Sequence, residues 1–379
     1  MNNKLKAGLV LTTINEPHLL DGYFENFRRF DHLDQVIVFL IVDKKTPASV
    51  YEQCKALKRK GLDIRCPTLE EQEVFISKLG RFAKLVPYNS DNRRNIGFLM
   101  ALEAGVDFLI SIDDDNFCLP NDDFFAEHSV VARGVETFET VHSFDGWFNI
   151  CELLSKEPNY QVYPRGFPYH SRHRENQVSY KIEQGLIRVN AGLWLSEPDL
   201  DAMTWLVAPV RARSFLGPSV VLGADTWTPI NTQNTAVHRD LIPAYYFIRM
   251  GYPLAGIRID RYGDIFSGYF VQSVARHLGY YVRVGTPIVE HRRNAHNYLK
   301  DAYSEFACIW VLEDLTAWLR ELQLEGSTCE EAYVCLSYAI EDAVESFSGF
   351  IWTDATRGYF HQMAYCMRAW VEACKVIRG

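Results

Sequence analysis

A chain of 379 residues with a formal net charge of −9 is long enough to bury a large core, and its acidic balance argues against a nucleic-acid-binding surface. It has no run of 18 uncharged apolar residues and no apolar N-terminal stretch of signal length, so the sequence predicts neither a membrane span nor an export signal. The nine cysteines form no Cys-x-x-Cys pair. They predict reduced thiols that mostly fill the core, and a cytoplasmic location.

The N-terminal part of the sequence alternates apolar strands with a helix. Strands are predicted over residues 7–13, 35–42 and 62–66, and a helix over residues 48–60. The strand, helix, strand order gives right-handed crossovers and a largely parallel sheet. The predicted fold class is therefore α/β.

Polar residues follow the first predicted strand. Thr12 and Asn15 are placed at its carboxyl end, where a hydroxyl and an amide are able to hydrogen-bond a nucleotide base or ribose. An equally good interpretation is that this loop only caps the helix that begins near His18.

A further apolar strand, at residues 108–112, ends in three consecutive carboxylates, Asp113, Asp114 and Asp115. Alternation along an extended segment points Asp113 and Asp115 to one side and Asp114 to the other. Because adjacent anions repel one another, a hard divalent cation, Mn²⁺ or Mg²⁺, is the predicted partner. The alternative is a solvated acidic loop or a cluster at a helix N-terminus.

A helix predicted over residues 91–105 leads into this acidic strand. Arg93 and Arg94 lie in its first turn, against the preference of the helix dipole for acids there. A phosphate or nucleobase beside the carboxylates would explain the two arginines. Surface arginines placed by chance are the alternative.

These motifs resemble those of a known family. Arg-Asn-Ile-Gly-Phe-Leu at 94–99 and Ile-Ser-Ile-Asp-Asp-Asp at 110–115 resemble nucleotide-sugar enzymes of the GT-A glycosyltransferase fold. Later blocks resemble the reversibly glycosylated polypeptides, which include the UDP-arabinopyranose mutases, in order over about residues 7–375. These blocks include Arg165-Gly166-Phe167-Pro168, Ala191-Gly192-Leu193-Trp194-Leu195, Asp240-Leu241-Ile242, Arg261-Tyr262-Gly263-Asp264 and Gly285-Thr286-Pro287.

The resemblance implies a GT-A, Rossmann-like mixed and mostly parallel sheet flanked by helices. We expect a nucleotide-sugar-binding catalytic domain over residues 1–295 and a C-terminal helical region over residues 296–379 packed on it. Helices are predicted over residues 298–324, 328–347 and 357–376 from apolar residues at helical spacing. Part of that apolar surface could also form a homo-oligomer interface.

The resemblance also implies a metal site. Asp113 and Asp115 match the family's metal and diphosphate site, and Asp114 lies beside the ribose. His291 matches a late histidine that completes the metal site in many such folds, although a lone histidine is more often structural. Imidazole suits Mn²⁺ better than Mg²⁺.

Further positions match the substrate site of the family. Arg172 aligns with the arginine that is glycosylated in the plant mutases, with Arg174 as a rival in the register. A protonated guanidinium is a poor nucleophile unless a carboxylate takes its proton, and stabilising the charge of the leaving diphosphate is an easier role. Arg165 and Asn234 are expected to bind nucleotide or substrate, as is Arg94.

Asp264 aligns with the second acid of the family's Arg-Tyr-Asp-Asp stretch, and Gly263 replaces the first. Near the anomeric carbon, Asp264 could stabilise an oxocarbenium-like transition state, act as a base or orient a hydroxyl. Capping a helix that begins near Ile265 is its structural alternative.

The sequence thus predicts a metal-dependent enzyme that interconverts pyranose and furanose forms of a nucleotide-diphosphate sugar, with UDP as the default carrier. The first alternative is a GT-A glycosyltransferase that moves the sugar to a separate acceptor. The second alternative is a non-catalytic subunit of a glycosyl-transferring complex.

Overall fold

The computed structural model describes residues 4–172, 177–254, 256–293 and 297–379. In this part of the chain the strands are β1 Ala7–Thr13, β2 Val36–Val42, β3 Asp63–Arg65, β4 Phe108–Ile112, β5 Asn116–Cys118, β6 Glu136–Ser143, β7 Leu154–Glu157, β8 Val178–Ser196, β9 Arg211–Phe215, β10 Val220–Leu222, β11 Asn234–His238, β12 Tyr252–Leu254, β13 Ile257–Ile259 and β14 Tyr280–His291. The α-helices are α1 Leu19–Arg29, α2 Ser49–Arg59, α3 Leu69–Ser77, α4 Arg94–Glu103, α5 Phe124–His128, α6 Ala202–Val207, α7 Gly263–His277, α8 Tyr298–Glu321, α9 Cys329–Ser346 and α10 Asp354–Arg378.

One large sheet organises the described residues. Its main path runs β3-β2-β1-β4-β11-β8-β6-β10-β14-β5. The first four strands are parallel, whereas β11 runs antiparallel to both β4 and β8, and β14 runs parallel to β8. The carboxyl ends of β1, β2, β4 and β14 therefore meet at one edge of the sheet, which is the edge where open α/β sheets bind ligands.

The parallel strands are apolar because helices cover them on both faces. Every residue of β2 is buried, as is every residue of β4. Helix α4 lies directly on this layer, and a Cβ atom on Gly97 would stand 2.4 Å from Val10 Cγ1. Glycine at this position lets α4 approach β1 closely, so that the first residue of the helix, Arg94, reaches the carboxyl edge.

The C-terminal helices belong to the same apolar core as the sheet. Buried residues of α8, α9 and α10 form one cluster with those of the strands, and Trp370 Nε1 of α10 donates to the Pro243 carbonyl at 3.1 Å. The predicted mixed α/β sheet with flanking helices and a C-terminal helical part is confirmed. The domain boundary between residues 295 and 296 stays a prediction.

The prediction that the cysteines fill the core is also confirmed. All nine lie in described residues as free thiols, and seven of them are buried. In the described ranges no helix combines the length and apolarity needed to cross a bilayer.

Candidate active site

A cleft with a volume of about 640 Å³ opens at the carboxyl edge of the sheet. This volume lies within the range typical of small-molecule sites. Residues that follow β1, β2, β4 and β14 line it, as do residues of the α7 N-terminus. Of the residues predicted from the sequence, it brings together Thr12, Arg94, Asp113, Asp114, Asp115, Arg165, Asp264 and His291.

The three consecutive carboxylates all line the cleft, each with a different partner. Asp113 forms an ion pair with Arg94, Asp114 accepts from Thr13 Oγ1 at 2.6 Å, and Asp115 Oδ2 lies 3.4 Å from His291 Nε2. The predicted alternation of side chains is wrong, because the backbone turns here and the Asn116 N–H donates to the Asp113 carbonyl at 3.2 Å.

Arg94 is the buried cation of this group. Its guanidinium donates to Asp113, to Ser111 Oγ at 3.1 Å and to Thr232 Oγ1 at 2.9 Å. Burial lowers the pKa of Arg94, but the negative charge of Asp113 outweighs it and the net pKa is raised. Arg93 also lines the cleft, but its Nη2 donates to Gln72 Oε1, so Arg94 is the one of the two arginines that pairs with Asp113.

Asp115 and His291 form a pair with the donor set of a Mn²⁺ or Mg²⁺ site. The His291 Nδ1–H donates to the Glu197 carbonyl at 2.6 Å, which leaves Nε2 facing Asp115. Such a second hydrogen bond orients metal-binding histidines. Burial lowers the pKa of His291, but Asp115 raises it to a larger extent. No set of three or more His, Cys, Asp or Glu side chains is already gathered for metal binding within the described ranges.

Arg165 joins two acids that are far apart in sequence. Its Nε donates to Asp199 Oδ1 at 2.9 Å and its Nη2 to Asp264 Oδ2 at 2.6 Å. Burial raises the pKa of Asp264, and the nearby charge of Arg165 opposes this rise without cancelling it. Burial also acts to raise the pKa of Asp199, but there the charge of Arg165 outweighs it and the net pKa is lowered. The guanidinium of Arg165, predicted to bind substrate, is thus already engaged by carboxylates.

Asp264 is the second residue of α7. The helix begins at Gly263 and its N-cap position is Tyr262. The interpretation of Asp264 as a helix cap is therefore wrong, because the helix begins one residue before it. The carboxylate lines the cleft instead.

Three predicted residues do not line the cleft. Asn15 contributes a backbone N–H, which donates to Thr13 Oγ1 at 3.0 Å. Asn234 is fully buried, where its Oδ1 accepts from His128 Nε2 at 2.9 Å and its Nδ2 donates to the Pro287 carbonyl at 2.9 Å. Both groups of its side-chain amide are thus engaged within the protein.

Arg172, the third residue outside the cleft, is held by a neighbouring loop. Its Nη2 donates to buried Asp201 at 2.7 Å, and its guanidinium lies 3.6 Å from the ring centroid of Tyr169. Asp201 is a carboxylate in contact with Arg172, as a nucleophilic arginine requires, but the pair is not among the cleft-lining residues. Arg174, the rival in the register, lies outside the described residues.

The cleft also contains charged residues that the sequence analysis did not select. They include Asp43, Lys45, Arg249, Arg258 and Arg293. Asp43 follows the buried strand β2, so the rule that selected Asp113 at the end of β4 would also have selected Asp43. Arg249 and Arg293 lie in irregular segments and Arg258 lies in the three-residue strand β13, and none of the three has a comparable signal in the sequence.

The fold and the cleft define an α/β protein with a charge-lined ligand site at the carboxyl edge of its sheet. The chain belongs to the reversibly glycosylated polypeptide family, which it matches over residues 6–379.

Similar proteins include plant enzymes. "Probable UDP-arabinopyranose mutase 4" of Arabidopsis thaliana is 27% identical over 323 residues, covering 83% of this chain and 80% of the relative. "Probable UDP-arabinopyranose mutase 1" of Zea mays is 29% identical over 299 residues, covering 78% and 74%. Among solved structures, the match to S. aureus TarS in complex with UDP-GlcNAc covers 99% of this chain and 91% of the TarS chain, at 12% identity and a TM-score of 0.39.

Proposed function

We propose that the protein is a divalent-metal-dependent enzyme of nucleotide-diphosphate sugars that interconverts their pyranose and furanose forms. One observation carries the proposal: Asp113, Asp114 and Asp115 enter a single cleft together with Arg94 and His291 in a member of the reversibly glycosylated polypeptide family. The names of its relatives make UDP-arabinopyranose the first substrate to test.

The cleft residues divide into three proposed roles. Asp113, Asp115 and His291 hold Mn²⁺ or Mg²⁺, because carboxylate and imidazole donors suit these ions. The bound cation would neutralise the diphosphate and ease its departure. Thr12 and Asp114 face the nucleoside, with Arg94 holding the acids in place.

At the other end of the site, Asp264 faces the sugar. Its carboxyl, with a raised pKa, is suited to bind a sugar hydroxyl or to stabilise positive charge at C1. In the proposed reaction the bond from C1 to the diphosphate breaks, and the O4 hydroxyl then bonds to C1 and loses its proton. The C1–O5 ring bond breaks, O5 takes up a proton, and the diphosphate returns to C1.

The intermediate sugar is retained as an ion pair with the diphosphate in this proposal. A covalent route through Arg172 would require the guanidinium to leave Asp201 and enter the cleft, with Asp201 accepting its proton. The two routes differ in a measurable way, because only the covalent one adds the mass of a sugar to the protein during turnover.

Incubation with UDP-arabinopyranose and Mn²⁺, followed by anion-exchange chromatography, tests the reaction. The expected product is UDP-arabinofuranose, which should be absent with EDTA and should form far more slowly with Asp115→Asn. Free UDP together with a new glycoside would show a glycosyltransferase instead. A glycosyltransferase is the second candidate function, because Asp264 is engaged by Arg165 and few free acids remain beside the sugar.

A panel of nucleotides in a thermal-shift assay covers the remaining alternative. A ligand that binds only the native state raises its melting temperature. Stabilisation by a nucleotide diphosphate in the presence of Mn²⁺, without turnover of any sugar nucleotide, would indicate a non-catalytic subunit.

A further inference from the structure

Most arginines in the cleft already have a carboxylate partner. Arg94 pairs with Asp113, Arg165 with Asp199 and Asp264, Arg258 with Asp260, and Arg261 with Glu305. Arg293 also lines the cleft but forms no ion pair with any described residue. Its Nη1 is buried and has no hydrogen-bond partner in the described structure.

An unpaired buried guanidinium N–H is unfavourable, because it has lost water without gaining an acceptor. The carbon atom of the guanidinium lies 5.3 Å from the ring centroid of Trp205 and 5.8 Å from that of Tyr298. These two rings are stacked on each other, 5.7 Å apart and 11° from parallel. The rings attract the cation but accept none of its in-plane hydrogen bonds, so the guanidinium fork remains available to an anion.

Two other cations in the cleft also lack a carboxylate partner among the described residues, Lys45 and Arg249. Lys45 is exposed, and Arg249 is half-buried beside the ring of Tyr252. Neither has a buried unsatisfied donor. Arg293 is therefore the one of these three whose burial calls for a ligand.

The surroundings of Arg293 indicate where in the substrate its ligand would lie. It is two residues after His291, and its charge acts on both His291 and Asp199. Asp199 is joined through Arg165 to Asp264, which faces the sugar in the proposed function. In a nucleotide-diphosphate sugar, the anionic group that would lie between the Asp115–His291 pair and Asp264 is the phosphate attached to the sugar.

We propose that Arg293 binds the sugar-proximal phosphate of the nucleotide-diphosphate sugar. The inference rests on the proposed function and adds a catalytic residue to it. When the bond from C1 to the phosphate oxygen breaks, its electron pair stays on that oxygen and no proton is transferred. Arg293 donates hydrogen bonds to this phosphate and stabilises the charge that develops, whereas a guanidinium with only a packing role would leave the phosphate untouched.

Arg292 provides a matched control. It is adjacent in sequence and carries the same charge, but it is exposed, donates to Glu290 and lies 4.2 Å from the ring centroid of Phe117. The variants Arg293→Ala, Arg293→Lys and Arg292→Ala are to be compared with the wild-type chain by calorimetric titration with UDP and with uridine, each with Mn²⁺. Turnover of UDP-arabinopyranose is measured in parallel.

Arg293→Ala is expected to weaken UDP binding by about 10- to 100-fold, the loss of a hydrogen bond to a charged group, and to leave uridine binding unchanged. Its kcat should fall further than its UDP affinity, because the charge on the phosphate grows as the bond breaks. Arg293→Lys should restore part of both losses. Arg292→Ala should match the wild-type chain.

The outcomes separate the inference from the function on which it rests. If the wild-type chain binds no nucleotide diphosphate, the proposed function fails. If it binds UDP and Arg293→Ala binds equally well, the assignment of Arg293 is wrong. An equal loss for Arg292→Ala and Arg293→Ala would also overturn it, since that pattern indicates only a general effect of charge. Should Arg293→Ala fail to fold, Arg293→Lys and Arg293→Gln make the same comparison.

Discussion

Two groups of polar and charged residues line the cleft, and they differ in how the fold brings them together. The strand-end group consists of Thr12, Thr13, Arg94, Asp113 and Asp114, which end or follow parallel strands or begin the helix packed on them. The assembled group consists of Arg165, Asp199, Asp264 and His291, from four segments distant in sequence. The first group could be predicted from local patterns, whereas the second depends on long-range packing.

The two groups also differ in their burial. In the strand-end group Asp113 keeps 29% of its side chain exposed beside Arg94. In the assembled group the side chains of Arg165, Asp199 and Asp264 are 8%, 4% and 10% exposed. The strand-end acids are thus open to a ligand, while the buried ion pairs mainly hold the second half of the cleft in shape.

The largest expected effect follows from removing the cation of the assembled group. Arg165→Ala leaves Asp199 and Asp264 buried without their partner, which should lower the free energy of unfolding by about 3–5 kcal/mol. Urea denaturation measures this change. The control Arg213→Ala removes an exposed ion pair to Glu157 and should cost less than about 1 kcal/mol. Similar losses in both variants would contradict the distinction between the groups.

The next effect tests the acid that links the two groups. Asp115→Asn should lower turnover about 10²- to 10³-fold and abolish the dependence of nucleotide binding on Mn²⁺, because a carboxylate ligand is lost. Its free energy of unfolding should change little. Glu290→Gln, at the half-buried neighbour of His291, is the control and should retain both properties. Normal metal dependence in Asp115→Asn would refute the proposed metal site.

A smaller effect concerns the buried polar network behind the assembled group. His128 Nε2–H donates to Asn234 Oδ1 and its Nδ1 accepts from Asn190 Nδ2 at 3.1 Å, an arrangement that requires neutral imidazole. Burial lowers the pKa of His128 from 6.5 to about 3. Between pH 6.5 and about pH 3, His128 is protonated in the unfolded chain but neutral in the folded one. The stability that neutral His128 contributes is therefore complete above pH 6.5 and is lost as the pH falls towards 3.

The pH dependence of unfolding measures that contribution. Relative to His128→Gln, the wild-type chain should lose about 1.4 kcal/mol of stability per pH unit as pH falls below 6.5. His18→Gln, at an exposed histidine, should follow the wild-type curve. Parallel curves for wild type and His128→Gln would show that His128 does not titrate on unfolding in this range.

The smallest effect is expected at Arg172, which lies outside both groups. Arg172→Lys keeps the charge beside Asp201 and should leave UDP affinity and turnover within about twofold of the wild-type values, since the residue does not line the cleft. Intact mass spectrometry during turnover provides the second readout and should show no sugar attached to the protein. Loss of turnover together with a glycosylated wild-type chain would establish the covalent route instead.

Comparing the predictions with the structure shows where sequence reasoning succeeds. The strand over Ala7–Thr13 is confirmed residue for residue, and the helices predicted over residues 48–60, 298–324 and 328–347 are present with shifts of at most three residues at their ends. These elements follow from local apolar periodicity. Arg93 and Arg94 both line the cleft, but helical position alone does not show that Gln72 accepts from Arg93 while Asp113 accepts from Arg94.

The sequence by itself determined the α/β class, the acidic end of β4 and the position of Arg94, because each depends on residues within one strand or one helix. Only the tertiary structure decided that Asp115 meets His291, that Arg165 is engaged by Asp199 and Asp264, and that Arg172 and Asn234 turn away from the cleft. The physical reason is that buried charges and amides are directed by whichever partner the packing of distant segments supplies. No local pattern records that choice.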